Sequence, residues 1–301
     1  MKNKLRDQNT RGRDSKESSP RVLSTGGPRS NQTTPVITLL TDFGTADYFV
    51  SAVKGVVLSS NSEARIVDIT HDIPPQDVEA AAFTLLAVFS SFPTGTIHVA
   101  VVDPGVGSAR RAILIRTRQQ FFVGPDNGIF SYVCERQENA GATPEMFHLT
   151  NTKYFRHPVS PTFNGRDVFA PVAAALSLGV KPKELGTEIT DIVRLPALKP
   201  QTSRDGRIKA RIIHIDHFGN CVTNITQEEL TPAKISVGVK LQLKKKLVTS
   251  FRSYFSEETG RPNQVFGIWG SAGFLEIAAA NNSAAKLLKV KRGDSVIVSE
   301  L

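Results

Sequence analysis

Residues 36–103 read VITLLTDFGTADYFVSAVKGVVLSSNSEARIVDITHDIPPQDVEAAAFTLLAVFSSFPTGTIHVAVVD, and this stretch decides the fold. Three short runs, at 36–41, 65–70 and 96–103, alternate with two helical stretches, at 46–59 and 76–92. Strands separated by segments of helical length give the βαβαβ rhythm of a sheet whose neighbours are joined by crossover helices. The strand cores VITLL, RIVDI and IHVAVV are almost continuously apolar. A sheet with one wet face would alternate polar and apolar residues, so these runs predict a sheet covered on both faces. The second helix has a defined start and stop. Pro74 and Pro75 precede it, Asp77 and Glu79 stand in its first turn and suit the helix dipole, and Pro93 ends it. The expectation is an α/β domain with a largely parallel sheet flanked by helices, continued by a helix over 168–178 that Gly179 closes.

Toward the N-terminus the composition changes. Residues 1–35 are rich in Arg, Ser, Thr, Asn and Gly and nearly empty of large apolar side chains. They cannot bury enough surface to offset chain entropy, and they read as a disordered basic tail. An organelle transit peptide is the alternative, opposed by Asp7, Asp14 and Glu17, and no apolar core of a secretory signal is visible. Toward the C-terminus, LPALKPQTSRDGR at 195–207 has no apolar periodicity and the composition of a linker. We therefore expect an α/β domain over 36–195, a linker over 196–207 and a second domain over 208–301. The second domain's strands are short and closely spaced, with one brief helix near 283–288, which predicts a small C-terminal β-barrel domain.

The chain has 301 residues, 40% hydrophobic and 22% charged, enough for a sizeable core. Lys and Arg number 37 against 28 Asp and Glu, a net +9. Eight cations and three anions in the tail supply +5 of this, which leaves the body at only +4. No cluster of Lys and Arg interleaved with aromatic residues stands in the body, so nucleic acid is not an expected partner. The longest apolar stretch, 80–89, is far short of the roughly 18 residues that span a bilayer, and no membrane span is expected. Cys134 and Cys221 are too few for a disulfide framework and lack paired metal-ligand spacing. They read as buried thiols in a reducing cytoplasm.

In a doubly wound sheet the ligand crevice lies beyond the carboxyl ends of the strands, so the residues that follow each run matter most. Thr41-Asp42-Phe43-Gly44 follows the first, Asp68-Ile69-Thr70-His71-Asp72 the second and Asp103-Pro104-Gly105-Val106-Gly107-Ser108 the third. From position alone, Asp42 reads as a cap for a helix beginning near Ala46 or as the acceptor of a cis-diol such as ribose. Asp68, His71 and Asp72 invite a metal reading, but a structural turn before Ile73-Pro74-Pro75 is preferred. DPGVGS lacks the trailing Lys-Ser/Thr and the glycine spacing of a phosphate loop. Asp103 with Arg110 and Arg111 reads as a carboxylate gripped by a guanidinium for chemistry, or as an ordinary salt bridge. Asp167, in PTFNGRD at 161–167, reads as a helix cap. His214-Ile215-Asp216-His217-Phe218-Gly219-Asn220 joins two strands. It offers a ring to stack on and an amide for an adenine edge, or it is a plain hairpin turn. A metal-dependent nucleoside or phosphoester hydrolase using Asp42, Asp47, Asp68 and His71 is a competing class.

Seven ordered segments together resemble the family of S-adenosylmethionine hydroxide adenosyltransferases, relatives of the fluorinase and chlorinase enzymes. They are TDFGTADYF at 41–49, DITHDIPPQDVEAAA at 68–82, VVDPGVGSARR at 101–111, GPDNG at 124–128, TFNGRDVFAP at 162–171, IDHFGN at 215–220 and GSAGFLEIA at 270–278. The tail lies outside the resemblance. The resemblance implies an α/β domain followed by a small β-barrel domain. It also implies a homotrimer with the ligand between one subunit's first domain and its neighbour's second. It implies displacement at ribose C5′ of S-adenosylmethionine by water or hydroxide, giving adenosine and methionine, with no cofactor and no metal. Asp42 would hold the ribose hydroxyls, and Asn220 would hold the adenine edge with backbone around Ala279. Asp216 and Ser271 would take the methionine end, Glu276 would line the same pocket and Phe218 would form a wall. Hydrolytic members surround the water with Asp, Arg and His. Asp103 and Arg110 match the first two, but the third place, within TFHGRD in typical members, is Asn164 here. A binding protein with weak or lost turnover is therefore the second reading. Halogenating relatives replace the Asp, so Asp103 implies water rather than halide.

Overall fold

The computed structural model describes residues 35–256 and 263–301, so the tail expected over 1–35 lies outside the described residues except for Pro35. Seven strands form the first sheet: β1 (Val36–Thr41), β2 (Arg65–Thr70), β3 (Ile97–Val101), β4 (Ala112–Arg116), β5 (Phe121–Pro125), β6 (Glu145–Leu149) and β7 (Gly186–Ile189). Their order is β2-β1-β3-β5-β4-β6-β7. β2, β1, β3 and β5 run parallel, while β4 reverses against β5 and β6, and β7 reverses against β6. The sheet is thus parallel-rich but mixed. Strands β4 to β7 were not anticipated in the sequence.

Both faces are covered over β1 and β3, as their continuous apolar runs require, but β2, also expected to be covered, is the edge strand and stays exposed or half-buried along its length. Helices α1 (Phe49–Ser60) and α4 (Ala170–Ser177) lie on one side, where Val53, Val57 and Val172 pack with Leu39, Val99 and Leu114. Helices α2 (Val78–Val88) and α3 (Ser131–Asn139) lie on the other, where Ala81, Leu85 and Tyr132 pack with Leu40, Ala100 and Ile113. Leu39 and Leu40 point to opposite faces because strand side chains alternate. Each such side chain, fully buried, contributes roughly 1.5–3 kcal/mol of transfer free energy.

The second sheet has nine strands: β8 (Gln201–Thr202), β9 (Ile208–Ile215), β10 (Cys221–Thr226), β11 (Val239–Leu243), β12 (Lys246–Val248), β13 (Phe251–Arg252), β14 (Val265–Trp269), β15 (Phe274–Ala279) and β16 (Ser295–Glu300). The path β12-β11-β16-β9-β10-β15-β14-β13, with β8 on β9, curls into a half-barrel in which β12 approaches β14. Ile212, Leu241, Leu275 and Val296 fill its interior. Helix α2 joins the two sheets: the Phe83 ring stacks on His214 at 5.2 Å and lies 5.8 Å from Phe274. Within residues 196–207, Leu198 is buried and its carbonyl accepts from Asn224 Nδ2 at 2.6 Å.

Two helix starts differ from expectation. α1 begins at Phe49 with Tyr48 as its cap residue, because the preceding loop turns through Gly44 at φ 66° and ties back by Gly44 N–H to the His71 carbonyl at 2.8 Å. The helix expected over 168–178 opens instead with a π-helical turn, Gly165–Phe169. Such wide turns recur at functional sites. Both cysteines are free and buried, and burial pushes each thiol up to about 12. Among the described residues no helix is long and apolar enough to cross a membrane.

Candidate active site

β1 and β3 are adjacent and parallel, with Thr41 opposite Val101. The residues just beyond them, Asp42 and Asp103, therefore emerge side by side at the carboxyl edge of the sheet. Asp42 does not cap α1. Its Oδ2 accepts the backbone N–H of Gln76 at 2.8 Å, because the loop after β1 carries it across to the turn before α2.

Asp103 and Arg110 are nearly buried, with 6% and 10% of their side chains exposed. Arg110 Nε donates to Asp103 Oδ1 at 2.7 Å, and its Nη2 donates to Asp103 Oδ2. The same Nη2 donates to Asn164 Oδ1 at 2.7 Å, and Asn164 Nδ2 reaches the Ser160 carbonyl at 3.3 Å. Residues 54 positions apart in sequence thus form one linked group. A two-point guanidinium grip fixes the plane of the carboxylate, which leaves its remaining lone pairs for a ligand or water. Phe169 lies under the Arg110 guanidinium at 5.6 Å. Arg111, by contrast, turns away to Asp126 and Asp191.

Asp42, Asp103 and Asn164 line a cleft of about 190 Å³ with Phe43, Phe49 and Phe163, and Arg110 grips Asp103 from behind it. The three rings pack against one another at 5.4 to 6.1 Å and make one apolar wall. None of them was singled out in the sequence, although each lies inside a quoted motif. Asp167 is not a helix cap: it is fully buried within the π turn, where Arg156, Arg166 and the Ser160 N–H hold it. It braces the loop that presents Asn164.

The half-barrel carries the other expected residues. Asp216 and Asn220 close the turn between β9 and β10. Asp216 Oδ1 accepts the Asn220 backbone N–H and its Oδ2 accepts Asn220 Nδ2, both at 2.8 Å. The hairpin reading is therefore present, and it also orients the amide. Asn220 Oδ1 has no partner among the described residues. Gly219, at φ 86°, sits so close to Ser283 that a Cβ would lie 2.0 Å from its hydroxyl. Glu276, on β15 opposite Val222, is half-buried against Gly270. Burial, and next the Asp216 carboxylate, pushes its pKa up from the ordinary range. Ser271 is exposed on the β14–β15 hairpin, Ala279 ends β15, and Phe218 is 74% exposed. None of these residues lines the Asp103 cleft. A larger hollow of about 560 Å³, flanked by Tyr132, Glu135, Trp269 and Phe274, contains none of the expected catalytic residues.

The metal reading finds no cluster. His71 is buried, with Nδ1 on the Thr41 hydroxyl at 2.8 Å and Nε2 3.1 Å from Asp68. Lys54 Nζ sits 2.6 Å from the same carboxylate. Against some burial, Lys54 and His71 hold Asp68 below the usual carboxylate range. Among the described residues no three His, Cys, Asp or Glu side chains gather to hold a metal.

Comparison with known proteins agrees with this geometry. Residues 37–186 match the model of the SAM hydroxide adenosyltransferase N-terminal domain, and residues 210–297 match that of the C-terminal domain. A protein of Methanocaldococcus jannaschii named (R)-S-adenosyl-L-methionine hydrolase is 36% identical over 272 residues, 87% of this chain and 94% of its own length. One of the same name from Salinispora arenicola is 37% identical over 88% of this chain and 98% of that protein. A fluorinase of an Actinoplanes species is 31% identical, over 69% and 78%. The crystal structure of an uncharacterized conserved protein from Thermotoga maritima superposes with a TM-score of 0.80 at 33% identity, covering 88% of this chain and all of that one.

Proposed function

The chain belongs to the SAM hydroxide adenosyltransferase family, and we propose that it hydrolyses S-adenosyl-L-methionine to adenosine and L-methionine at the Asp103 cleft. The observation that carries this reading is the Asp103–Arg110–Asn164 group standing beside Asp42 at one sheet edge. Water attacks ribose C5′, the C5′–O bond forms as the C5′–S bond breaks, and the sulfonium departs as the neutral thioether of methionine. The leaving group already carries its positive charge, so no acid is needed to expel it and the reaction draws on no metal or cofactor. What remains is to hold the water in line and take its proton.

Asp103 takes that proton, and Arg110 fixes the carboxylate from behind. Asn164 cannot act as a base near neutral pH, since its amide has no basic site comparable to imidazole. Its role is to hold Arg110 through Oδ1. Asp42 accepts the ribose hydroxyls. Asn220, with its amide aligned by Asp216, and the backbone at Ala279 receive the adenine edge. Asp216, Glu276 and Ser271 take the methionine end, where an ammonium would offset the crowding of the two carboxylates. Halide is disfavoured because the Asp103 carboxylate repels an anion.

We further propose that the assembly is a homotrimer in which the cleft of one subunit meets the half-barrel of the next. Phe218, 74% exposed on the turn between β9 and β10 and apart from the Asp103 cleft, supports this. Incubation with S-adenosylmethionine in chelator-treated, halide-free buffer should release adenosine and methionine in equal amounts. Tight binding without product would instead leave a binding protein.

A further inference from the structure

We propose that Arg292, on the half-barrel, is a positioning residue for the ribose-binding carboxylate Asp42, acting through the turn Pro74-Pro75-Gln76-Asp77. The inference rests on the hydrolase reading above, in which Asp42 receives the ribose. Asp42 is anchored by one backbone group, the Gln76 N–H at 2.8 Å. Gln76 has φ 65°, in the left-handed region that favours glycine. The Asp77 N–H closes the turn on the Pro74 carbonyl at 3.0 Å. Pro at the second position and a positive φ at the third are the marks of a type II turn, whose third residue is ordinarily Gly or Asn. The central peptide of such a turn is flipped relative to the commoner type I. That flip is what aims the Gln76 N–H at Asp42, and a side chain other than glycine makes it strained.

Strained turns persist only when their surroundings over-determine them. Here the far end is held twice. Asp77 Oδ1 caps α2 through the Ala80 N–H at 3.0 Å, and the Arg292 guanidinium grips both oxygens of Asp77, with Nη2 2.9 Å from Oδ1. Arg292 Nη2 also lies 3.8 Å from Glu79, whose Oε1 is held by Arg211 at 2.6 Å and by the Tyr132 hydroxyl at 3.1 Å. Arg292 is one third exposed and Asp77 one fifth, so the pair is partly shielded from solvent. A cation in the loop that leads into β16 thereby sets the turn that orients a ligand group of the first sheet. Without it the turn relaxes toward the type I form, and Asp42 loses its anchor while keeping its charge.

The test is Arg292→Met, which keeps the length of the side chain and removes the guanidinium. Asp42 contacts the ribose equally in substrate and transition state, so KM for S-adenosylmethionine should rise about fivefold or more with kcat within about twofold of wild type. Preference for S-adenosylmethionine over its 2′-deoxyribose counterpart should fall by a similar factor, a change that loss of stability alone would not produce. Arg292→Lys should recover part of both. In an Asp42→Ala background Arg292→Met should change KM no further. Wild-type KM and wild-type ribose preference in Arg292→Met, or effects that add fully to those of Asp42→Ala, would overturn the proposal. Should Arg292→Met fail to fold, Asp77→Asn, which keeps the cap and weakens the ion pair, carries the same comparison. If the wild-type enzyme does not turn over S-adenosylmethionine, the hydrolase reading fails by itself. Calorimetric titration with adenosine and 2′-deoxyadenosine then tests the Arg292 dependence separately, and equal discrimination in wild type and variant sinks it.

Discussion

On the proposed mechanism Asp103 serves the chemistry and Asn220 the recognition, and substitution should separate them. Asp103→Ala removes the proton acceptor, so turnover should fall by about 10²–10⁴ while affinity for S-adenosylmethionine stays near wild type. Asn220→Ala should instead weaken binding by about 1–3 kcal/mol, the cost of losing a buried polar partner, with kcat largely retained. Single-turnover rates and calorimetric titrations measure the two effects, and equal losses of affinity would undo the division. A third residue reports on stability rather than catalysis. His98 is buried, with Nδ1 on the Thr38 hydroxyl at 2.7 Å and its ring stacked on Phe122 at 4.9 Å. Burial pushes its pKa down from 6.5 to about 4. Between those values the unfolded chain binds a proton that the folded chain refuses, so stability falls as pH falls through this window and is unaffected above it. The full loss amounts to about 3 kcal/mol. Thermal unfolding at pH 7 and pH 5 should show this slope, and His98→Asn should flatten it.

At the level of elements, the site depends on two loops pressed together. Gly107, at φ 79°, brings the loop after β3 so near the loop before the π turn that a Cβ would lie 2.6 Å from the Pro161 carbonyl. Gly107→Ala should therefore move Asp103 and Arg110 away from Asn164. It should also cost about 1–2 kcal/mol from the left-handed conformation. The expected result is a fall in kcat with little change in adenosine affinity, since Asp42 and Asn220 stand outside this contact. A kcat equal to wild type would mean that the two loops need not touch. The same elements mark how much the sequence disclosed. β1 and β2 have the expected bounds, β1 because its apolar run is continuous and ends at Asp42, and β2 because its β-branched residues pair along β1 up to the turn at His71. α3 was not legible: SYVCERQEN buries only its first turn and has no apolar periodicity, so its helix is fixed by Tyr132 and Val133 packing on the α2 side of the sheet. β4 to β6 are five residues each, and β4 ends on a charge at Arg116 while β6 begins on one at Glu145. Pairing makes them strands: β5 lies parallel to β3, and β4 pairs antiparallel with β5 and with the more distant β6. Within the site, the loop carboxylates were legible from the strand-end rule. The ring wall of Phe43, Phe49 and Phe163 was not, because the chain brings residues more than a hundred positions apart together only by folding.

For the whole molecule, the decisive feature is that the residues assigned to one ligand lie on two surfaces. The Asp103 cleft holds about 190 Å³ and the half-barrel residues do not enter it, whereas a pocket for a ligand of this size spans roughly 300–1,000 Å³. Either the two parts of one chain share a ligand across open space, or a neighbouring copy closes the site. The proposed trimer makes these alternatives measurable, because a closed ring of heterologous contacts gives every subunit the same neighbour. Asp103→Ala damages only the cleft half of a site and Asn220→Ala only the half-barrel half. When the two variant proteins are unfolded and refolded together in equal amounts, each site draws its halves at random. One combination in four is then intact, so about a quarter of wild-type activity should return from two preparations that are each nearly inactive at low substrate concentration. If the ligand were bound within one chain, every site would keep one damaged half and the mixture would stay at the average of its parts. Regained turnover in the mixture, read beside the mass of the assembly by light scattering, would thus fix both the oligomer and the path of the ligand across it.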